Sequence, residues 1–256
     1  MLLAIDIGNS HTVIGLFDKD KLCHSWRIQT NRKATADELS ASVLSLFALD
    51  QCQVGSVTGF IVSSVVPQLK TSWLGFADKL DLVPTFVDNT TDTGIKILID
   101  NPTEVGADRL VNAAAGINKH KGPLIIIDFG TAITFDCVSD HGEYLGGAIT
   151  PGVAISLEAL GKQTAKLPRV DINVAPPRPI GTSTVSAIQS GILYGYGGLV
   201  DRLVNRLQSS FTTKPKVLAT GGMAQLIAPY ADTIEHLEPI LTLEGLYLIY
   251  ERSLHN

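Results

Sequence analysis

Two stretches of this chain repeat one another: Ile5-Asp6-Ile7-Gly8-Asn9-Ser10-His11-Thr12 and Ile127-Asp128-Phe129-Gly130-Thr131-Ala132-Ile133-Thr134. Each reads as an apolar strand, an aspartate, an apolar residue, a glycine, two small residues and a return to β-forming residues. A strand that ends in Asp-x-Gly offers a phosphate free backbone N–H groups at a tight turn, hydroxyl donors and a carboxylate for a metal ion. Two such turns suggest a duplicated unit that grips a nucleotide from both sides. In the first copy the phosphate-binding run is Asp6, Ile7, Gly8, Asn9, Ser10, His11, Thr12 and Val13. The Asp6 carboxylate is placed to hold Mg²⁺ beside the β- and γ-phosphates, with the backbone and hydroxyls of residues 8–12 on phosphate oxygens. His11 carries no catalytic role in this reading. The plainer alternative is a strand-end aspartate that caps a turn.

The elements around these turns alternate between strand and helix. Residues 2–7, 12–18 and 22–28 read as three consecutive strands, and residues 35–49 as a helix with Thr35 at its N-cap. Strands follow at 59–66 and 83–87, then an alanine-rich helix at 104–117. The opening pattern then returns with strands at 124–128, 132–138 and 143–149. Helices are expected at 153–161 and 183–208, a strand at 217–219, and helices at 223–229 and 241–252. Pro176-Pro177-Arg178-Pro179 reads as a stiff surface loop. Each half is thus a three-stranded meander followed by helix, strand and helix. The expected boundary divides the chain into residues 1–117 and 118–256, with a hinge near 118–122.

Composition narrows the class. The chain has 256 residues, 45% of them apolar and 18% charged, enough for a sizeable core and too little charge for disorder. A formal net charge of −5 argues against nucleic acid or an anionic membrane as the partner. Three scattered cysteines suggest a reducing compartment with no disulfide framework. The start lacks a basic region and is broken by Asp6, so it reads as a strand, and no apolar run approaches spanning length. A cytoplasmic location is expected. No Gly-x-x-x-x-Gly-Lys-Ser/Thr run and no zinc spacing is present.

The arrangement resembles the actin, sugar-kinase and Hsp70 ATPase superfamily, an α/β fold of two ribonuclease-H-like lobes with duplicated topology and ATP in a central cleft. Asp6-Ile7-Gly8-Asn9-Ser10, Ser63-Ser64-Val65-Val66-Pro67, the run from Asn101 to Arg109, Asp128-Phe129-Gly130-Thr131-Ala132, the run from Gly146 to Gly152, and the run from Thr184 to Gly191 resemble, in order, the motifs of type III pantothenate kinase. That resemblance implies phosphorylation of pantothenate by ATP with Mg²⁺, the first step of coenzyme A synthesis. It also implies a monovalent cation (K⁺ or NH₄⁺) on Asp128, Thr131 on ATP, and a homodimer in which Thr184 reaches the substrate across the interface. By the same resemblance Gly106, Ala107, Asp108 and Arg109 bind the acceptor, with Asp108 as the base and Arg109 as a planar fork for substrate oxygens. On the residues alone, Asp108 and Arg109 read equally as an exposed first-turn pair on a helix, and Thr182 or Ser183 as an N-cap. Thr220-Gly221-Gly222-Met223, between strand and helix, matches where the superfamily seats adenosine. One position departs from the pattern: many members carry a tyrosine where this chain has Ile99. An apolar side chain there can pack on the dimethyl group of pantothenate but donates no hydrogen bond. Two other readings remain, a kinase of another small alcohol and a non-enzymatic transcription accessory factor. Three carboxylates at Asp6, Asp108 and Asp128 speak against the second.

Overall fold

A computed structural model describes residues 1–164, 166–173, 176 and 178–255. The contacts divide the chain into two compact units. The first comprises residues 1–95, 100–115 and the segment from Thr242 onward; the second comprises 96–99 and 116–241.

The first unit is built on the sheet β3-β2-β1-β4-β5. Its strands are β1 (Leu2–Ile7), β2 (His11–Asp18), β3 (Lys21–Gln29), β4 (Gly59–Ser64) and β5 (Thr85–Phe86). The meander β1–β2–β3 is antiparallel, while β4 runs parallel to β1 and β5 parallel to β4. Strand alternation sends Leu3, Ile5 and Ile7 to one face. There they meet Leu39, Val43 and Phe47 of α1 (Ala36–Leu49) and Trp73 and Phe76 of α2 (Lys70–Asp78). Phe60, Trp73 and Phe76 pack edge to face, with centroids 5.7–6.4 Å apart. Thr35 and Glu38 close a capping box on α1, which satisfies amides that the first turn would otherwise leave open.

Leu2 and Ala4 face the other way. They are covered by Ala107, Val111 and Ala114 of α3 (Ala107–His120) and by Leu243, Leu246 and Ile249 of α7 (Leu241–Leu254). By the same alternation the Asp6 side chain lies on this α3 face. Gly245 permits the helix contact, since a methyl group there would collide with the Val111 carbonyl and lie 2.7 Å from its Cγ1. Thr242 Oγ1 donates to Asn112 Oδ1 at 2.7 Å across the same seam.

The second unit repeats the order as β9-β8-β7-β10-β11, with β6 (Lys96–Ile97) added beside β9. The strands are β7 (Leu124–Phe129), β8 (Ala132–Val138), β9 (Glu143–Pro151), β10 (Lys216–Thr220) and β11 (His236–Leu237). Ile125, Ile127 and Phe129 pack against Leu193, Tyr196, Val200 and Val204 of α5 (Thr184–Gln208). Val153 of α4 (Val153–Gln163) and Ile227 of α6 (Ala224–Ile227) join that core. On the opposite face, Gly116 of α3 lets Leu124 and Ile126 approach to within 2.8–3.0 Å of where a Cβ would stand.

Several expectations shift. The helix expected from residue 104 begins at Ala107, because Asn101 folds residues 102–104 into a separate turn: its Oδ1 accepts from the Thr103 amide at 3.3 Å and its Nδ2 donates to Glu104 at 2.8 Å. That helix then continues to His120, through the residues 118–120 expected to interrupt it. The strand expected at 59–66 stops at Ser64, as Ser64 Oγ turns back to accept from the Val66 amide at 3.1 Å. Helix α2 and the two-residue strands β6 and β11 were not expected at all. Residue 177, in the stretch read as a proline loop, lies outside the described residues. Among the described residues none of the three cysteines forms a disulfide, and no helix is long and apolar enough to cross a membrane.

Within the second unit, Glu238 is nearly buried and accepts from Lys119 Nζ at 2.6 Å, with His120 Nε2 at 2.7 Å. Burial pushes its carboxyl up, but the hydrogen bonds and charges of Lys119 and His120 outweigh burial and hold it below the ordinary glutamate value. A depressed carboxyl contributes stability above its unfolded value and loses it as pH falls through the folded one. Glu238→Gln therefore flattens the acid side of the stability–pH curve, read by urea unfolding between neutral and acid pH. Gly245→Ala overpacks the α3–α7 seam and costs about 1–3 kcal/mol, seen as a lower urea midpoint with unchanged slope.

Candidate active site

The first turn joins β1 to β2 through residues 8–10. The Gly8 amide donates to the His11 carbonyl at 3.0 Å, and a Cβ on Gly8 would stand 3.0 Å from that oxygen. Ile7 is fully buried and offers only its backbone, while Asn9, Ser10 and His11 are exposed and carry the accessible edge of the turn. Thr12 is buried; its hydroxyl pairs with that of Thr30 at 2.9 Å, and Thr30 in turn donates to the Gly8 carbonyl at 2.8 Å. The Thr12 hydroxyl thus shapes the turn from behind. Val13 packs among the apolar side chains under α3 and α7. Arg32, which the sequence reading passed over, donates to Asn9 Oδ1 at 2.9 Å and brings a guanidinium to the rim of the turn. Nothing in its spacing signals this, because the loop after β3 delivers it.

Asp6 is the next-to-last residue of the central strand, beside Ser63 in the parallel register of β1 and β4. Register partners share a face, so Ser63 lies with Asp6 on the α3 side. The Ser63 hydroxyl is fully buried and has no hydrogen-bond partner. Sequence alone showed Ser63 only as part of a family motif.

The segment 106–109 opens α3. Asp108 Oδ1 accepts from the Arg109 amide at 2.9 Å, and Asp108 in the first turn suits the helix dipole. At Gly106, which the resemblance puts in the acceptor-binding run, a Cβ would stand 2.6 Å from Asp108 Oδ1. Ala107 is buried in the core under the helix. Asp6, Gly106, Ala107, Asp108 and Arg109 all belong to the first unit, Asp128, Thr131 and Thr184 to the second.

The second turn is tighter than the first. The Gly130 amide donates to the Ala132 carbonyl at 3.1 Å, a loop one residue shorter than that from Gly8 to His11. The Thr131 carbonyl accepts from the Gly152 amide at 3.1 Å, and a Cβ on Gly152 would strike that oxygen, so the start of α4 rests directly on the turn. Asp128 lies beside Gly221, whose φ is +91°. A side chain at Gly221 would collide with Asp128 Oδ1 and come within 2.6 Å of the Phe129 amide. The Thr220-Gly221 turn therefore presses against the second aspartate.

Ile99 sits against Gly146, its Cγ2 3.3 Å from where a Cβ would be, and Leu98, Leu145 and Ile149 beside it in the same unit are exposed. Thr184 is the first residue of α5, exposed, with Ser183 as the N-cap. It lines an apolar hollow of about 450 Å³ with Leu160, Leu167, Ala187, Ile188 and Ile192.

Donor chemistry decides which ions suit these turns. Among the described residues no three His, Cys, Asp or Glu side chains converge to hold a metal. A single carboxylate with glycine-turn oxygens fits Mg²⁺ that keeps its water and phosphate ligands, or a monovalent ion, and does not fit zinc.

Comparison with known proteins agrees over the whole chain. The profile of type III pantothenate kinase matches residues 2–206. The type III pantothenate kinase of Pelobacter propionicus is 51% identical over 99% of this chain and 100% of its own length. Among solved structures, a protein assigned to the Baf family of transcriptional activators from Campylobacter jejuni superposes with a TM-score of 0.60 at 20% identity, over 99% of this chain and 100% of that one. The polyphosphate/ATP-glucomannokinase of an Arthrobacter strain gives 0.50 at 18% identity, over 100% and 99%. These last likenesses show the fold, two ribonuclease-H-like sheets of the actin and sugar-kinase type. The end-to-end sequence match shows the rest: the chain belongs to the type III pantothenate kinase family.

Proposed function

We propose that this chain phosphorylates pantothenate through Asp108 as general base, with the two Asp-x-Gly turns serving different ions. Family membership makes the protein a pantothenate kinase acting at the first step of coenzyme A synthesis, and implies ATP with Mg²⁺. The observation that carries the residue assignment is the reserved position of Asp108, set at the start of α3 by a glycine that leaves room for its carboxylate. Phosphoryl transfer leaves the protein little covalent work; positioning and charge neutralisation dominate.

The first turn holds phosphate oxygens on the backbone of Gly8–His11, and Asp6 orients the divalent ion, which when bound neutralises charge on the β- and γ-phosphates. Asp108 accepts the hydroxyl proton of pantothenate as the γ-phosphoryl moves across in line. Arg109 clamps the substrate carboxylate or amide oxygens. Asp128 holds the monovalent ion and Thr131 contacts ATP. The apolar surface of Ile99 packs on the dimethyl group of the acceptor. Thr184 completes the acceptor site from a second copy of the chain, whose docking covers the apolar hollow on α4 and α5. The regulator reading gains nothing from the likeness to the Campylobacter protein, since 20% identity speaks only for fold.

Three measurements test this. With pantothenate, MgATP and K⁺, Asp108→Asn lowers kcat by about 10²–10⁴-fold while nucleotide affinity stays at the wild-type value. Turnover indifferent to Asp108→Asn sinks the base assignment. Arg109→Ala raises the KM for pantothenate far more than that for ATP. Replacing K⁺ by tetramethylammonium at equal ionic strength abolishes turnover, and Asp128→Asn removes the response to K⁺.

A further inference from the structure

The structure assigns Asp136 as a positioning residue that turns the hydroxyl of Thr134 into a cation ligand beside Asp128. This rests on Asp128 holding the monovalent ion, as proposed above.

The argument begins with strand alternation. On β8, Ile133, Phe135 and Cys137 point into the core against α5. Thr134 and Asp136 therefore lie on the other face. On β7, Ile125, Ile127 and Phe129 are in that same core, which puts Asp128 on the face of Thr134. The register makes Asp128 and Thr134 direct cross-strand partners. Side chains of such partners start from Cβ atoms about 4.5–5.5 Å apart, a span that one ion can bridge with an oxygen from each.

Asp136 has no exposed surface. Thr134 Oγ1 donates to its Oδ2 at 2.9 Å, and Tyr144, equally buried, donates its hydroxyl to Oδ1 at 2.7 Å. A hydroxyl has one proton and two lone pairs. Thr134 commits its proton to Asp136, so what it presents elsewhere is lone pairs alone. An oxygen in that state accepts or ligates and cannot donate, which is the character a hard cation selects. Tyr144 holds the second carboxylate oxygen and stops Asp136 from rotating out of this role. Asp136 does not itself touch the ion. It acts through Thr134, as the hydrogen-bond partners of metal ligands orient those ligands elsewhere. The roles proposed above use neither Asp136 nor Tyr144, yet the sheet buries a carboxylate two residues along β8 from the partner of Asp128.

Asp136→Asn is the informative variant because it keeps the shape and reverses the polarity. The amide oxygen still accepts from Tyr144, while the amide NH₂ donates to Thr134 and turns the threonine proton outward, against the ion. K⁺ titrations against tetramethylammonium, at fixed ionic strength, are read two ways: as the midpoint of the K⁺-dependent rise in unfolding temperature with MgADP bound, and as the K⁺ concentration for half-maximal turnover. Asp136→Asn and Thr134→Val are expected to raise both midpoints by about 10- to 100-fold, and Thr134→Ser to keep the wild-type midpoint. Should Asp136→Asn not fold by circular dichroism, Thr134→Val and Thr134→Ser decide the matter alone. Wild-type midpoints in Thr134→Val and in folded Asp136→Asn, where Asp128→Asn flattens the titration, overturn this assignment and leave the Asp128 reading standing. A K⁺ response that survives Asp128→Asn overturns the Asp128 reading and this one with it.

Discussion

Close approach of backbone to backbone or carboxylate shapes both turns and the start of α3, and at each such place the chain puts a glycine. Any Cβ at Gly106 would crowd Asp108, and any at Gly221 would occupy the space of Asp128. Gly8 and Gly130 close the two hairpins on carbonyls at 3.0 and 3.1 Å, and Gly152 lets α4 rest on the second turn. The shared physical limit is how closely backbone can approach backbone or carboxylate, which only a residue without a side chain satisfies.

The same limit makes the repeated motif unequal. The loop after β1 is one residue longer than the loop after β7, and it is laced from behind by Thr12, Thr30 and Arg32. The loop after β7 instead carries helix α4 on its back and a glycine turn at its side. Duplicated topology thus supplies two strand ends of one design that differ by a single residue of loop length.

Much of this was legible in the sequence because the signals are local. Runs of β-forming residues between tight turns pointed to β1, β2 and β3, Thr35 and either Thr182 or Ser183 announced their helices, and the repeated Asp-x-Gly pointed to both turns. What was not legible depends on distant parts of the chain. Helix α2 hides because Trp73 and Phe76 are apolar on a short, glycine-containing segment, and only the face of Leu3 and Ile5 gives them a partner. Strands β6 and β11 are two residues each and exist only by pairing with β9 and β10. The sequence placed a helix start at Glu104 from its alanine-rich pattern, but the side chain of Asn101 consumes that turn. Thr12 looked like a phosphate donor until Thr30, eighteen residues on, claimed its hydroxyl.

Helix α7, made from the end of the chain, covers Leu2, Ala4 and Ile61 of the first sheet together with α3. A ribosome delivers residues in order, so one face of the earliest strands stays incompletely covered until residues 243–249 have been made. The first sheet can collapse onto α1 and α2 as soon as those emerge, but its other side waits for the whole second unit to be synthesised. During translation the nascent protein therefore carries a half-covered apolar face on its first sheet, a surface that a chaperone is suited to guard and that a stop before α7 would leave open.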